Sequence, residues 1–200
     1  MAMEIRDAIS EHDAAACAAI YAPYVRDTVI SLEERVPTAE EFAERIATTT
    51  QTHPWLVAAE DGEVVGYAYA TRHRERASYR WATDVTVYVA EGRHRRGVGR
   101  ALYEALFARL VGQGFRMACA GVTLPNQASV GLHEALGFQA VGVYRRIGFK
   151  FGAWRDVGWW QLELDGRQAD GGAPPEPGLP DGRGATEDGR RATEDGPAAT

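Results

Sequence analysis

Two hundred residues, 45% of them hydrophobic, suffice for one domain with a substantial core and leave room only for a very small second one. A net charge of −6 argues against generic nucleic-acid binding, and two cysteines, Cys17 and Cys119, make neither a disulfide framework nor a cysteine metal site. No stretch approaches the roughly 18 apolar residues of a membrane span and no charged n-region with an apolar h-region opens the chain, so a soluble, cytoplasmic protein without membrane contact is expected.

The chain opens with a short strand, about Met3–Asp7, in which Met3 and Ile5 alternate with Glu4 and Arg6. A helix follows, with Ser10 as its expected cap, Ala16, Cys17, Ile20 and Tyr21 as apolar positions, and Pro23 ending or kinking it. Tyr24–Val36 is a connector rich in apolar residues. Thr38 and Glu41, at capping-box spacing, then start a second helix that packs with Phe42 and Ile46. Trp55–Glu60 and Glu63–Thr71 flank Asp61-Gly62, a hairpin signal. Charge accumulates in the next segment, RHRERASYRWATD, where His73 forms no obvious cluster with His53 or His94, which speaks against zinc.

The stretch Trp81–Val111 organises the rest. Residues 83–89 alternate, so Val85, Val87 and Val89 are expected to face the core while Asp84, Thr86 and Tyr88 offer polar groups to a ligand. From Gly97 the period changes, and Val98, Leu102, Leu106 and Leu110 define one helix face with Phe107 beside them. Gly97 and Gly99 permit a tight turn whose N–H groups have no intrahelical partner, and Arg95, Arg96 and Arg100 add charge around it, which makes a nest for anionic oxygens. No Gly-Lys-Ser/Thr follows, and Leu102 stands where a dinucleotide fingerprint has its third glycine. The turn alone is as compatible with a plain helix start among solvated arginines.

Gln113-Gly114 closes that helix, and Arg116–Thr123 reads as a strand with Cys119 buried. Pro125-Asn126 turns into a helix over Ala128–Leu136, ended by Gly137, with Val130, His133 and Leu136 together on its surface. Val141–Ile147 and Val157–Leu164 are the last strands. The adjacent Trp159 and Trp160 must face opposite ways, one into the core and the other towards a partner or under a cover within the monomer. The domain is therefore expected to span residues 1–164. Residues 165–200 are rich in Gly, Pro and charge and repeat ATEDG at 185–189 and 192–196, a polar pattern with no face to bury, so a disordered tail is expected.

A strand, then Arg-Arg-Gly-Val-Gly-Arg, then a helix beginning Ala101-Leu102 resembles the acetyl-CoA pyrophosphate site of the GNAT superfamily of N-acetyltransferases, with His94 where that pattern has Gln or Arg. The resemblance covers about residues 3–164. It implies a mixed α/β fold, a seven-stranded sheet splayed between its fourth and fifth strands and flanked by four helices. It also implies acetyl-CoA held along Val87, Tyr88 and Val89 and by Arg95, Arg96, Gly97, Val98, Gly99 and Arg100. Asn126 and Ser129, in an Asn-x-x-Ser...His-Glu-x-x-Gly-Phe element, would meet the pantetheine and adenosine end. Phe138 stands near where superfamily members often carry a tyrosine that protonates the leaving thiolate.

The connector is similar to that of a narrower branch, the phosphinothricin and methionine sulfoximine N-acetyltransferases: Ile20, Tyr21, Tyr24, Val25, Thr28, Glu33 and Pro37 match, while Leu32 replaces a phenylalanine and Ala22 an asparagine. The Gly148, Lys150, Gly152, Trp154, Asp156 and Val157 series extends the likeness. This resemblance implies that Tyr24, Thr28, Leu32 and Glu33 wall the amine pocket and that Arg74, Arg76 and Tyr79 stand beside the acceptor, Arg76 as a carboxylate clamp. It also implies a homodimer. A neutral amine would attack the acetyl carbonyl directly, with no metal and no acyl-enzyme, since Cys119 has no evident paired base. Asp84 occupies the place of the branch's general-base glutamate. It is shorter by one methylene, so an ordered water is expected to carry the proton, with His133 as second candidate. The acceptor implied is a small L-amino-acid analogue; an unrelated small amine and a non-catalytic acyl-CoA sensor are the alternatives.

Overall fold

A computed structural model describes residues 3–164 and 174–178. The chain runs β1 (Glu4–Asp7), α1 (Ser10–Arg26), α2 (Ala39–Thr49), β2 (Trp55–Glu60), β3 (Glu63–Arg72), a 3-10 turn (Ala77–Tyr79), β4 (Ala82–Val89), α3 (Val98–Gln113), β5 (Met117–Leu124), α4 (Gln127–Ala135), β6 (Gln139–Lys150) and β7 (Ala153–Glu163). One seven-stranded sheet results, in the order β1-β2-β3-β4-β5-β7-β6, with every described neighbour pair antiparallel except β4 and β5. This is the mixed, four-helix architecture expected from the sequence.

Local signals place most elements. Thr38 accepts the Glu41 N–H while the Glu41 side chain takes that of Thr38, a complete capping box. Val98, Leu102, Leu106 and Leu110 are all buried, as their spacing predicts, in a core shared with Val85, Ala118, Ala120, Phe138 and Trp160. A second core lies on the opposite face of the sheet, where α1 and α2 bury Cys17, Tyr21, Phe42 and Ile46 against Trp55, Val57 and Tyr67. Tyr88 packs there edge-on to Tyr21 and Tyr24, with centroids 4.8 and 4.9 Å apart. Asp84, Thr86 and Tyr88, on that face of β4, all remain partly exposed.

Several expectations change. Ser10 does not cap α1: it is the first helical residue, and the buried Asp13 accepts the Ile9 N–H at 2.7 Å while forming a bidentate pair with Arg6. A carboxylate one turn inside the helix reaches the free amide better than the Ser10 hydroxyl. Pro23 neither ends nor breaks α1, which continues to Arg26. Cys119 is only half-buried. Of the tail, Pro174–Gly178 lies against the domain: Glu176 pairs with Arg80, Trp81 Nε1 donates to the Pro175 carbonyl at 2.8 Å, and the Gly178 N–H donates to Gln113 at 2.7 Å. The expected disorder elsewhere in 165–200 falls outside the described residues.

Candidate active site

The two halves of the sheet separate at one rung. β4 and β5 pair only at Ala82–Met117, Thr83–Ala118 and Asp84–Cys119. Beyond it, Val85–Val89 bond only to β3, and Ala120–Leu124 only to β7. A wedge therefore opens just past Asp84 and Cys119, with one unpaired strand edge on each side, and edges left unpaired inside a sheet invite a ligand with polar groups of its own.

At the far end of the wedge the chain leaves β4 through a turn in which Arg95 (φ +61°) and Gly97 (φ +85°) are left-handed. Gly97 caps α3, and the Ala101 N–H is the first to donate back, to the Gly97 carbonyl at 3.0 Å, so the preceding amides have no intrahelical acceptor. Arg95 and Arg96 are exposed beside them. Arg100 differs: its guanidinium reaches the Ala135 carbonyl at 3.3 Å and Glu104 at 3.5 Å. The Gly99 position faces Leu132, and a Cβ there would sit 3.3 Å from its side chain and within 4 Å of Val87 and Val89. His94 Nε2 lies 2.8 Å from the Tyr24 hydroxyl, which itself donates to the Val89 carbonyl at 2.6 Å. Asn126 caps α4 by accepting the Ser129 N–H at 3.1 Å, and Ser129 offers its carbonyl to His133.

The other expected residues divide into walls and struts. The connector crosses from α1 to the far half of the sheet. Leu32 lies against Gly148 so closely that a Cβ there would come within 2.6 Å of it. The chain's single lysine, Lys150, is buried and donates to the Val25 and Ser31 carbonyls at 2.6 and 2.7 Å, and burial holds its amine below the usual lysine range. Glu33 is occupied by a bidentate Arg45 (2.8 and 3.1 Å) and the Tyr21 hydroxyl, so it braces the connector. Thr28 donates to the Tyr24 carbonyl. Arg76 and Tyr79 are exposed around the 3-10 turn, and Arg76 has no ion pair among the described residues.

At the apex, side chains from four elements meet. His73 Nδ1 is 2.7 Å from Asp84 Oδ1, and a ring nitrogen of His73, a carboxylate oxygen of Asp84 and Cys119 Sγ all lie within 4.8 Å of one another. Trp159 lines the same place: its ring is 6.2 Å from His73 and 5.8 Å from the Arg74 guanidinium. The register puts it opposite Gly121, where no side chain competes for the space. Burial raises the Asp84 carboxyl above its usual range, against the opposing pull of His73 and Arg74. Burial and the Asp84 charge push the Cys119 thiol up to about 11, so it is protonated at neutral pH and a poor nucleophile.

His133, the second expected base, is 3% exposed, with Nδ1 on the Ser129 carbonyl at 2.7 Å and Nε2 on the Tyr103 hydroxyl at 3.1 Å. Burial lowers its pKa, and neither nitrogen is free for an incoming ammonium. His73 and Trp159 are the apex residues that sequence reasoning did not assign. The hairpin register held a signal, since Thr71 opposes Asp84 and His73 shares its parity, on the same face.

Residues 6–159 match the family model described as an acetyltransferase (GNAT) domain. The chain belongs to the GNAT acetyltransferase family. It is 38% identical over 163 residues to a phosphinothricin N-acetyltransferase of Streptomyces viridochromogenes, covering 82% of this chain and 88% of that one. Over 167 residues it is 37% identical to an L-methionine sulfoximine/L-methionine sulfone acetyltransferase of Pseudomonas paraeruginosa, covering 82% and 96%. A solved GNAT phosphinothricin acetyltransferase of Sinorhizobium meliloti, in complex with acetyl-CoA, superposes with a TM-score of 0.81 at 34% identity, covering 88% of this chain and 95% of that one. An open cleft of about 650 Å³ beside α1, lined by Asp13, Ile20, Glu63 and Glu91 among others, contains none of the expected site residues.

Proposed function

We propose that this chain transfers the acetyl group of acetyl-CoA to the free amine of a small L-amino-acid analogue of the phosphinothricin, methionine sulfoximine or methionine sulfone type. The observation that carries the reading is the loss of β4–β5 pairing immediately beyond Asp84, with a left-handed glycine turn and the free amides of α3 at the other end of the gap. The residues fit the co-substrate: the α3 amides with Arg95 and Arg96 would hold its pyrophosphate, and the unpaired edge along Val87, Tyr88 and Val89 its pantetheine amides. Acetyl-CoA supplies an activated thioester. The protein orients the amine, excludes water and removes the ammonium proton at the apex of the wedge, where the Asp84 carboxylate stands. Arg76, exposed and without an ion pair among the described residues, is the carboxylate clamp.

The acceptor class follows from the names of the relatives, and Leu32 against Gly148 gives this pocket its own wall. The test is thiol release with acetyl-CoA and a panel of phosphinothricin, methionine sulfone and butylamine. Turnover on the amino acids well above butylamine is expected. Equal rates on butylamine would remove the carboxylate clamp, and acetyl-CoA binding with no turnover on any amine would replace the enzyme by a sensor.

The active unit proposed is a homodimer formed through β6. That strand ends the sheet and exposes Val141, Val143, Tyr144, Ile147 and Phe149, an apolar edge of a kind that monomers avoid. No helix among the described residues is long and apolar enough to cross a membrane. Light scattering should report twice the chain mass, falling to the monomer in I147E.

A further inference from the structure

We infer that His73 is the group that accepts the substrate's ammonium proton, with Asp84 as its orienting partner, so that the base of this site is an imidazole–carboxylate pair and not a carboxylate working through water. The inference rests on the acetyltransferase reading and deepens it.

His73 is the first residue after β3, and Asp84 is the last β4 residue on the paired rung, so the two meet where the wedge begins. An ionised carboxylate only accepts hydrogen bonds, so the 2.7 Å contact fixes the proton on His73 Nδ1 and leaves the lone pair on Nε2. Nε2 has no hydrogen bond to any described residue, and its lone pair points away from the carboxylate. The ring is held edge-on by two aromatics, Tyr79 from the 3-10 turn at 6.1 Å and Trp159 from β7 at 6.2 Å. The side chain is 16% exposed, enough for an amine to reach and too little for the ring to swing freely. The ionisable groups facing it are Asp84 from β4, Cys119 from β5, and Arg74 and Tyr79 from its own segment.

This arrangement answers the reach of aspartate. A side chain one methylene shorter than glutamate stops short of an amine in the wedge, and the imidazole carries the basic lone pair one ring further. Proton and electron pair balance simply. The ammonium N–H bond breaks, its electron pair stays on nitrogen as the nucleophile, and an Nε2–H bond forms on an imidazolium stabilised by Asp84. Ammonium and thioester become amide, thiol and one proton, and that proton leaves to solvent through His73.

The experiment measures thiol release at saturating acetyl-CoA with phosphinothricin, methionine sulfone and butylamine, for the parent, H73Q and H73Q/D84E, from pH 6 to pH 10. H73Q should lose about 10²-fold in turnover at pH 7 with unchanged acetyl-CoA affinity by calorimetry, which shows that the fold is intact. The deficit should shrink as pH rises, because an acceptor that is already neutral needs no base. The longer carboxylate of H73Q/D84E should restore most of the rate. A deficit constant across pH, or H73Q within about twofold of the parent, overturns the pair and leaves the acetyltransferase standing. A parent that releases no thiol with any of the three amines overturns both.

Discussion

The turn at Arg95–Arg100 and the cluster of His73, Asp84, Cys119 and Trp159 sit at opposite ends of the free half of β4, and they are built in opposite ways. The turn is contiguous in sequence, made largely of backbone amides released by two left-handed residues and a helix start. The cluster draws one side chain from each of four segments and depends on strand register. A site made of backbone tolerates side-chain change and fails on backbone change. A site made of side chains does the reverse.

Four substitutions sharpen or break that contrast. D84N keeps the size of the side chain and removes its charge, so turnover should fall by about 10²–10⁴-fold while acetyl-CoA affinity stays within twofold by calorimetry; a matching loss of affinity would mean that the two ends are one unit. G97V is the backbone counterpart. A Cβ there meets nothing within 4 Å, so its cost is conformational alone, about 1–3 kcal/mol for a branched residue at φ +85°. Acetyl-CoA should bind about 10–100-fold more weakly, and unchanged affinity would show that the turn does not hold the co-substrate. R76A should raise KM for amino-acid acceptors about tenfold, one bidentate contact's worth, and leave KM for butylamine where it was. The smallest effect belongs to Cys119, whose thiol is pushed up to about 11. C119S should keep turnover within about twofold. Alkylation of Cys119 by iodoacetamide should be slow at pH 7, where the thiolate is of order 10⁻⁴ of the total, and accelerate as pH climbs towards 11. Fast labelling at pH 7 would reverse the assignment.

How much was legible follows from the same contrast. The hairpin at Asp61-Gly62, the capping box at Thr38, the buried face of α3 and the glycine turn that precedes it are local, and each was readable from a few consecutive residues. Ser10 was misread because a hydroxyl at a helix start is a local cue, whereas Asp13 competes from a turn away with Arg6 behind it. His133 looked available because its helical neighbours are sequence facts, and its burial against Tyr103 and Phe138 is not. Trp159 and Trp160 had to face opposite ways, but only the sheet could say that Trp160 fills the core and Trp159 lines the apex.

By itself, then, the sequence determined the order and type of the elements, the helix face that builds the main core, and the backbone turn that opens α3, because these depend on periodicity, capping and glycine geometry within a few residues. Tertiary structure decided where β4 and β5 part, that His73 finds Asp84 and Cys119, and that Glu33 and Lys150 serve as struts under the connector. Those outcomes depend on register across a parallel crossover and on which polar groups find partners first, and neither is encoded in the spacing of neighbouring residues.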